Sequence, residues 1–313
     1  MRISLKGKSI LSLFELTPEE IKYLLRLALF LKDERRSGVV NQRFRGKTLA
    51  LIFEKRSTRT RCAFETAFGE EGGYPSFLSI NDIQLGSKET IEDTARILGR
   101  MYDAILFRGY NQKFVEILAE YSGVPVYNGL TDSFHPTQIL ADLMTIIEEF
   151  GELKGKKLVF IGDGRNNIAN TLAVGCAKMG MNYTIIAPKE LWPEFNLLDS
   201  VRKICQQTGG SIYVTENIKE GVDGADVVYT DVWVSMGEED KEKERLELLK
   251  SYQVNQCLMK KTNKENTIFM HCLPAVRGQE VTSEIIDGKK SRVWDQAENR
   301  KHIAKAILTA TLL

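Results

Sequence analysis

The chain has 313 residues, with 43 lysines and arginines against 42 aspartates and glutamates, so its formal net charge is +1. This length is sufficient for two domains with separate cores, and the balanced, interspersed charge argues against a nucleic-acid-binding surface or a polybasic membrane anchor. The apolar runs are far shorter than a bilayer span, and the first residues do not begin a signal-peptide pattern.

The first predicted helix begins after Thr17, in a capping box that ends at Glu20 and has Pro18 at the first helical position. Its apolar residues recur on one face, and we expect the helix to end near Gly38. This pattern is typical of a core helix and indicates no chemistry.

The next stretch is the strongest candidate for a ligand site. An apolar run, Thr48–Phe53, predicts a buried strand, and helical spacing resumes at Cys62. Ser57 is a candidate N-cap between them, so a helix start with unpaired N–H groups coincides with hydroxyls at 57, 58 and 60 and the guanidinium of Arg59. This turn contains no acidic residue and is suited to a dianion such as phosphate. The alternative is an ordinary capped helix with solvated arginines.

A polar loop follows a short strand predicted near Ser76–Ile80. The loop covers residues 81–89 and contains Gln84. Its length, glycine and charge indicate a mobile or interfacial segment, with a solvated connection as the alternative.

Strands and helices alternate through the rest of the first half. The elements predicted there are helices at about 90–102, 111–121 and 136–150 and strands at about 103–108 and 124–129. Such alternation predicts a parallel sheet with helices on both faces, in which ligands bind at the carboxyl ends of the strands. We expect the Ser57 turn, Arg108 and His135 at that edge, which favours a functional role for the histidine over capping or packing alone.

The second half repeats this alternation after a glycine- and lysine-rich break, Gly151–Lys157, where we place a domain boundary. Residues 1–150 and a last helix at 297–313 are assigned to the first domain, and residues 151–296 to the second. The predicted strands are Lys157–Ile161, Tyr183–Ala187, Ser211–Val214, Ala225–Thr230, Thr267–Met270 and Arg292–Asp295. The predicted fold class is therefore α/β, with two doubly wound parallel-sheet domains, an active-site cleft between them, and a C-terminal helix that crosses back to the first domain.

The turn after the first of these strands is close to the dinucleotide-binding pattern G-x-G-x-x-G. Asn167 stands where the third glycine is expected, and the next strand ends in Ala187-Pro188 without the acid that would hold a ribose. A nicotinamide site is therefore disfavoured, while the turn remains suited to a smaller anion such as a carboxylate.

Two later strand ends carry reactive side chains. We expect Asp231 and Cys272 at the carboxyl edge of the second sheet, although a buried free cysteine is more often only a small hydrophobe. Arg300, near the start of the last helix, is expected in the interdomain cleft.

The cysteines and histidines bear on the cellular compartment and on metal binding. The five cysteines, at 62, 176, 205, 257 and 272, are odd in number and lack metal-ligand spacing. The three histidines, at 135, 271 and 302, are too scattered for a typical zinc site. We therefore expect a reduced, cytoplasmic protein without a metal.

Four separated motifs resemble, in order, the signatures of the carbamoyltransferase family. They are Ser57-Thr58-Arg59-Thr60, Phe107-Arg108-Gly109, His135-Pro136-Thr137-Gln138 and His271-Cys272-Leu273-Pro274. The segment from Asp231 to Gly237 is similar to the version found in ornithine carbamoyltransferases, and the resemblance runs from about residue 4 to the C-terminus. It implies transfer of the carbamoyl group from carbamoyl phosphate to the side-chain amine of L-ornithine in arginine metabolism, without metal or cofactor. It also implies a homotrimer, with further assembly of trimers left open.

The resemblance also implies roles for individual residues. The implied carbamoyl phosphate site comprises Ser57, Thr58, Arg59, Thr60, Gln84 from a neighbouring subunit, Arg108, His135, Pro136, Thr137, Gln138, Cys272, Leu273 and Arg300. The implied ornithine site comprises Asn167, Asp231, Ser235 and Met236, and the implied catalytic residues are Arg108, His135, Asp231, Cys272 and Arg300.

Several alternatives remain open. One alternative stays within the same enzyme class and has putrescine or an acylated ornithine as the amine acceptor. Two further alternatives belong to other functional classes: a non-catalytic amino-acid- or anion-binding module that has kept the fold, and a dehydrogenase. Cys272 either orients the amine beside Asp231 or forms a covalent intermediate.

Overall fold

The computed structural model describes residues 3–80, 83, 89–234 and 241–313. The chain forms two compact units: unit 1 comprises Met1–Met144 and Glu298–Leu313, and unit 2 comprises Thr145–Ala297. Among the described helices, none is both long enough and apolar enough to cross a membrane.

Unit 1 is built on a four-stranded parallel sheet with the strand order β2-β1-β3-β4. Its strands are β1 (Thr48–Phe53), β2 (Tyr74–Ser79), β3 (Ala104–Arg108) and β4 (Val126–Leu130). The helices that begin in unit 1 or contribute to it are α1 (Pro18–Arg36), α2 (Thr58–Gly69), α3 (Ile91–Met101), α4 (Gln112–Ser122), α5 (Pro136–Phe150) and α12 (Val293–Leu312). The strand order reverses between β1 and β3, so their carboxyl ends border the crevice where doubly wound sheets bind ligands.

Local sequence explains how these elements begin and pack. Thr17 and Glu20 form the predicted capping box of α1, since each side chain accepts a hydrogen bond from the other residue's backbone N–H. Residues 49–53 of β1 are all buried, as expected for a central parallel strand. Helices α3 and α4 approach closely at Gly99, where a Cβ would lie 1.7 Å from the carbonyl oxygen of Ser122.

Unit 2 contains a five-stranded parallel sheet with the order β7-β6-β5-β8-β9. Its strands are β5 (Lys157–Ile161), β6 (Asn182–Ile186), β7 (Ser211–Thr215), β8 (Val227–Thr230) and β9 (Ile268–His271). Its helices are α6 (Asn167–Lys178), α7 (Phe195–Thr208), α8 (Ile218–Val222), α9 (Glu242–Leu249), α10 (Gln256–Lys260) and α11 (Ser283–Ile286). Here the order reverses between β5 and β8, which places the turn after β5 beside the end of β8.

The predicted fold class, two doubly wound parallel-sheet α/β domains, is confirmed. The strand predicted at Arg292–Asp295 is wrong, because α12 begins at Val293, earlier than the predicted helix start at residue 297. Ser291, the residue before this segment, forms an isolated β-bridge with Phe269 of β9 in place of a continuous strand pairing. On α12, Oε1 of Gln296 accepts the backbone N–H of His271 at 3.1 Å. A side chain of the helix therefore takes the place of the backbone acceptor that a neighbouring strand would supply.

Candidate active site

The β1–α2 turn of unit 1 has the features of an anion site. Ser57 caps α2, as predicted, by accepting the backbone N–H of Thr60 at 3.2 Å. The first turn of α2 contains no acidic residue, so the partial positive charge of the helix start is not offset there. Thr58 is exposed and Arg59 half-buried, whereas Thr60 is buried.

Thr60 lies between two buried arginines. Arg108, the last residue of β3, donates from Nη1 to Thr60 Oγ1 at 3.2 Å and to the carbonyl of Gly129 at 3.3 Å. Arg300, on α12, donates from Nη2 to the same hydroxyl oxygen at 2.9 Å. Since both bonds use the oxygen as acceptor, the hydroxyl proton of Thr60 remains available to donate to a ligand.

Gln138 continues this hydrogen-bonded line. Its Oε1 accepts from Nη1 of Arg300, and its Nε2 donates to Oδ1 of Asp142 at 2.8 Å. All three side chains are buried, with exposed fractions of 3% or less.

His135 precedes α5, whose first residues are Pro136 and Thr137. Burial, together with the guanidiniums of Arg300, Arg108 and Arg59, lowers the pKa of His135 well below its usual value. The imidazole is therefore neutral at physiological pH. The buried hydroxyl of Thr137 has no hydrogen-bond partner within the described part of the chain.

Unit 1 thus brings together most of the residues predicted for carbamoyl phosphate. Thr60, Arg108, Gln138 and Arg300 form one hydrogen-bonded cluster, and His135 lies within electrostatic reach of its arginines. Such a cluster of donors is suited to a ligand with phosphate and carbonyl oxygens. Gln84, also predicted for this site, lies outside the described residues.

The candidate site of unit 2 centres on Asp231, which follows β8. Oδ1 accepts from the thiol of Cys272 at 3.0 Å and from the N–H of Val232 at 2.8 Å, and Oδ2 accepts from Nδ2 of Asn166 at 3.2 Å. Burial raises the pKa of the Asp231 carboxyl above its usual value. A half-buried carboxylate surrounded by neutral donors is suited to an ammonium group or an amine.

A buried His–Glu pair lies behind Cys272. Nε2 of His271 lies 3.2 Å from Oε1 of Glu280, and Nδ1 of His271 accepts the N–H of Leu273 at 2.8 Å. Nδ1 must carry the lone pair, so the proton of a neutral ring is on Nε2 and faces Glu280. Leu273 has a φ of 58°, a left-handed conformation that its bond to His271 helps to hold.

Asp231, His271 and Cys272 also have potential metal-ligand atoms within 4.8 Å of one another. Both ring nitrogens of His271 are already used in hydrogen bonds, so a metal would have to displace one of them. This cluster is therefore better suited to binding an amine than to holding a resident ion.

The turn between β5 and α6 borders Asp231. Asn166 caps α6 by accepting the N–H of Ala169 at 2.8 Å, and Asn167 is the first helical residue. Asp163 in the same turn accepts from Arg165 and lies 3.8 Å from buried Arg245 on α9. Ser235 and Met236, predicted for ornithine, lie outside the described residues.

Sequence reasoning missed three side chains that contact the predicted site residues: Asn166, Asp142 and Glu280. Asn166 binds Asp231, whereas the sequence drew attention to its neighbour Asn167. Asp142 could have been found from the sequence, because it lies four residues after Gln138 on a predicted helix and residues at this spacing face each other. No comparable spacing pointed to Glu280.

Comparisons with known proteins cover both units. The family profile of the aspartate/ornithine carbamoyltransferase carbamoyl-P binding domain matches residues 8–148, and that of the Asp/Orn binding domain matches residues 154–311. An ornithine carbamoyltransferase of Caldanaerobacter subterraneus is 67% identical over 313 residues, the full length of both chains. A catabolic ornithine carbamoyltransferase of Bacillus licheniformis is 52% identical, with 99% of this chain and 98% of that one covered.

A solved structure agrees with these sequence matches. The ornithine carbamoyltransferase from Pyrococcus furiosus superposes with a TM-score of 0.96 at 45% sequence identity, covering 99% of each chain. Domain profiles, relatives and structure match over essentially the whole length. The chain therefore belongs to the aspartate/ornithine carbamoyltransferase family.

Proposed function

We propose that the chain transfers the carbamoyl group of carbamoyl phosphate to the side-chain amine of L-ornithine, giving L-citrulline and phosphate. The observation that carries this proposal is the contrast between the two sites. Unit 1 offers a buried cationic cluster around Thr60, and unit 2 offers Asp231 with no arginine or lysine among the hydrogen-bond donors described above for its carboxylate. An acceptor with a second carboxylate, such as aspartate, would be repelled by Asp231, whereas an ornithine amine would be attracted.

Carbamoyl phosphate binds, in this proposal, at the start of α2. Ser57, Thr58, Arg59, Thr60 and the backbone N–H groups of the turn hold the phosphate, and each charge-assisted hydrogen bond contributes about 1.5–3 kcal/mol. As the C–O bond to phosphate breaks, negative charge builds on the leaving group and these donors bind it more strongly.

The carbamoyl carbonyl is polarised by a separate set of donors. Thr60, Arg108, His135 and Arg300 stabilise the oxyanion of a tetrahedral intermediate, and Gln138 accepts a hydrogen bond from the carbamoyl NH2. His135 acts as a neutral donor, because its lowered pKa keeps the ring uncharged. The carbamoyl group also contacts Pro136, Thr137, Cys272 and Leu273 as part of this proposed site.

Ornithine must lose a proton before it attacks, because a lysine-like amine has a pKa of about 10.4 in water. Asp231 and Cys272 orient the side-chain amine and lower the cost of deprotonation. Direct attack by the amine needs no acyl-enzyme, and in the structure the thiol of Cys272 donates its proton to Asp231. We therefore favour direct attack over a covalent cysteine intermediate.

Further proposed contacts hold the α-amino and α-carboxylate groups of ornithine and join neighbouring subunits. Asp231 and Ser235 bind the α-amino group of ornithine, and Asn167 with the backbone of Met236 binds its α-carboxylate. Gln84 acts in the site of a neighbouring subunit of a homotrimer, and the enzyme works in the cytoplasm in arginine metabolism. Because rate acceleration comes from positioning and electrostatics, the proposed reaction requires no organic cofactor or metal.

One assay tests the proposed function. The purified chain is incubated with carbamoyl phosphate and, separately, with ornithine, putrescine, N-acetylornithine and aspartate, and each carbamoylated product is quantified. We expect citrulline to form with a preference of about a hundredfold in kcat/KM, since a buried polar group left without its partner costs up to about 3 kcal/mol. Preferred carbamoylation of another amine, or no product with any of them, would refute the proposal. A fluorescence titration with NADH, expected to show no binding, tests the dehydrogenase alternative.

A further inference from the structure

Asp142 is a fully buried carboxylate that the proposed chemistry does not use. It lies on α5 one helical turn after Gln138, and its exposed fraction is 0%. Its Oδ1 accepts the side-chain N–H of Gln138 at 2.8 Å. Burying a carboxyl group costs free energy unless hydrogen bonds compensate for the lost water.

The bond from Gln138 to Asp142 has a direction that the chemistry of the groups fixes. The guanidinium of Arg300 only donates, and an unprotonated carboxyl oxygen of Asp142 accepts. Gln138 lies between them, so its Nε2 must face Asp142 and its Oε1 must face Arg300. The amide therefore has one orientation, and one lone pair of Oε1 remains for a second donor.

The line of hydrogen bonds extends to the substrate site through Arg300, which donates both to Gln138 and to Thr60. Arg300 donates onward to Thr60 Oγ1 at 2.9 Å, and Arg108 donates to the same atom at 3.2 Å. The line thus begins at an acceptor, Asp142, and ends at the hydroxyl proton of Thr60. Removing the first acceptor leaves the Nε2 of Gln138 without this acceptor and weakens the hold of the amide on Arg300.

The amide between Asp142 and Arg300 also separates their charges. A carboxylate in direct contact with Arg300 would compete with an anionic substrate for that guanidinium. Through Gln138, the carboxyl group holds the buried guanidinium in place without contacting it directly.

We propose that Asp142 is a positioning residue that holds Gln138 and Arg300 in the orientation needed to bind the carbamoyl group. The inference rests on the proposed function. Formation of citrulline by the wild-type chain tests that function first. The inference itself concerns the ratio of variant to wild-type rates, so it can fail while the proposed function stands.

The test compares Asp142→Leu, which removes the acceptor at similar volume, with Asp142→Asn, which keeps an oxygen facing Gln138. We expect Asp142→Leu to lower kcat by about 10- to 100-fold, the cost of leaving the buried amide N–H of Gln138 without its acceptor, with the ornithine dissociation constant unchanged. Asp142→Asn should stay within about threefold of wild type. Wild-type kcat for Asp142→Leu, or equal losses in both variants, would overturn the inference.

A double-mutant cycle separates positioning from general damage. If Asp142 acts through Gln138, adding Asp142→Leu to Gln138→Leu should lower kcat little further, whereas multiplied losses would overturn the inference. Tyr127→Phe is the matched control, since it removes one buried hydrogen bond, to Thr311 on α12, and should leave kcat unchanged. If Asp142→Leu does not fold, Asp142→Ser, one atom too short to reach Gln138, takes its place with the same expectation.

Discussion

The two candidate sites share a topology but have opposite electrostatics. Both lie at the reversal point of a parallel sheet, beside a turn in which a side chain caps a helix, Ser57 in unit 1 and Asn166 in unit 2. In unit 1 arginines converge, and their charges help keep His135 neutral. In unit 2 a carboxylate, Asp231, converges with a thiol and an amide.

The difference shows that the fold supplies the place and the strand-end residues supply the chemistry. The backbone N–H groups of a helix start favour anions in both units. In unit 1 Arg108 and Arg300 strengthen that preference, whereas in unit 2 Asp231 supplies a counter-charge that a cationic amine can use. Substitutions that remove one charge at each site should therefore impair different substrates.

Arg59→Ala should have the largest effect. In the proposed site, loss of this guanidinium would remove a charge-assisted hydrogen bond to the phosphate in both the bound and transition states, so kcat/KM for carbamoyl phosphate should fall by about 10²–10³-fold. Steady-state kinetics with carbamoyl phosphate varied would measure this loss. Arg61→Ala is the control on the same helix, because Arg61 is exposed and binds Glu65. Comparable losses in both variants would show that general charge, not the turn, holds the phosphate.

Asp231→Asn should impair ornithine instead. Removing the negative charge should raise the ornithine dissociation constant by about 10- to 100-fold while leaving that of carbamoyl phosphate unchanged. Calorimetric titration of each substrate measures both constants, with exposed Asp287→Asn, whose carboxylate pairs with Arg277, as the control. An unaltered ornithine titration would place the amine elsewhere.

The pH dependence of ornithine binding sharpens the same comparison. The pKa of Asp231 is raised, so its charge is present above that pKa and is lost as the pH falls through it, earlier than for an exposed aspartate. Ornithine affinity of the wild type should therefore weaken on acidification, and the residual binding by Asp231→Asn should not follow this curve. If the ornithine affinities of the two proteins fell in parallel as the pH was lowered, the loss of binding at low pH would belong to another titrating group.

Cys272→Ser should have a smaller effect. Serine keeps a donor to Asp231 in nearly the same place, so we expect ornithine kcat/KM to fall by up to about tenfold, as for one neutral hydrogen bond. Mass spectrometry of wild type quenched during turnover should show the unmodified chain. A carbamoyl adduct on Cys272 would instead establish the covalent route.

His302→Gln should have the smallest effect on turnover, because this histidine affects stability alone. Burial lowers the pKa of His302 to about 4, although its Nε2 lies 3.1 Å from Oε1 of Glu298. The unfolded histidine takes up a proton at higher pH than the folded one, so stability is complete above about pH 6.5 and should decrease by about 3 kcal/mol as the pH falls toward 4. Melting curves of wild type and His302→Gln should diverge over this range. Identical pH slopes would contradict the prediction, and turnover at pH 7 should be equal.

Local patterns made much of the fold and the turn predictable. The Ser57 cap and the bounds of β1 follow from short-range signals, a hydroxyl before a helix and an apolar run. Arg108 and His135 could be placed at one sheet edge because parallel strands end together. The roles assigned to these residues stay predictions.

Other features depend on distant partners that spacing does not reveal. The sequence predicts a strand at Arg292–Asp295, but Trp294 is 59% exposed and the segment is the start of a helix. Glu280 is fully buried, and its Oε1 lies 3.2 Å from Nε2 of His271, which belongs to a separate element. Polar residues of this kind look like solvated surface until the chain is folded.

The contribution of α12 to unit 1 has a consequence for biosynthesis. Arg300 bonds Thr60 across a separation of 240 residues, and Gly7 donates its N–H to the carbonyl of Thr311 at 2.8 Å. A growing polypeptide therefore emerges from the ribosome with the whole sheet of unit 2 before it can complete unit 1. The nascent chain cannot assemble its arginine cluster until translation has passed α12, so a ribosome stalled earlier carries a polypeptide that has not yet acquired a working acyl-phosphate site.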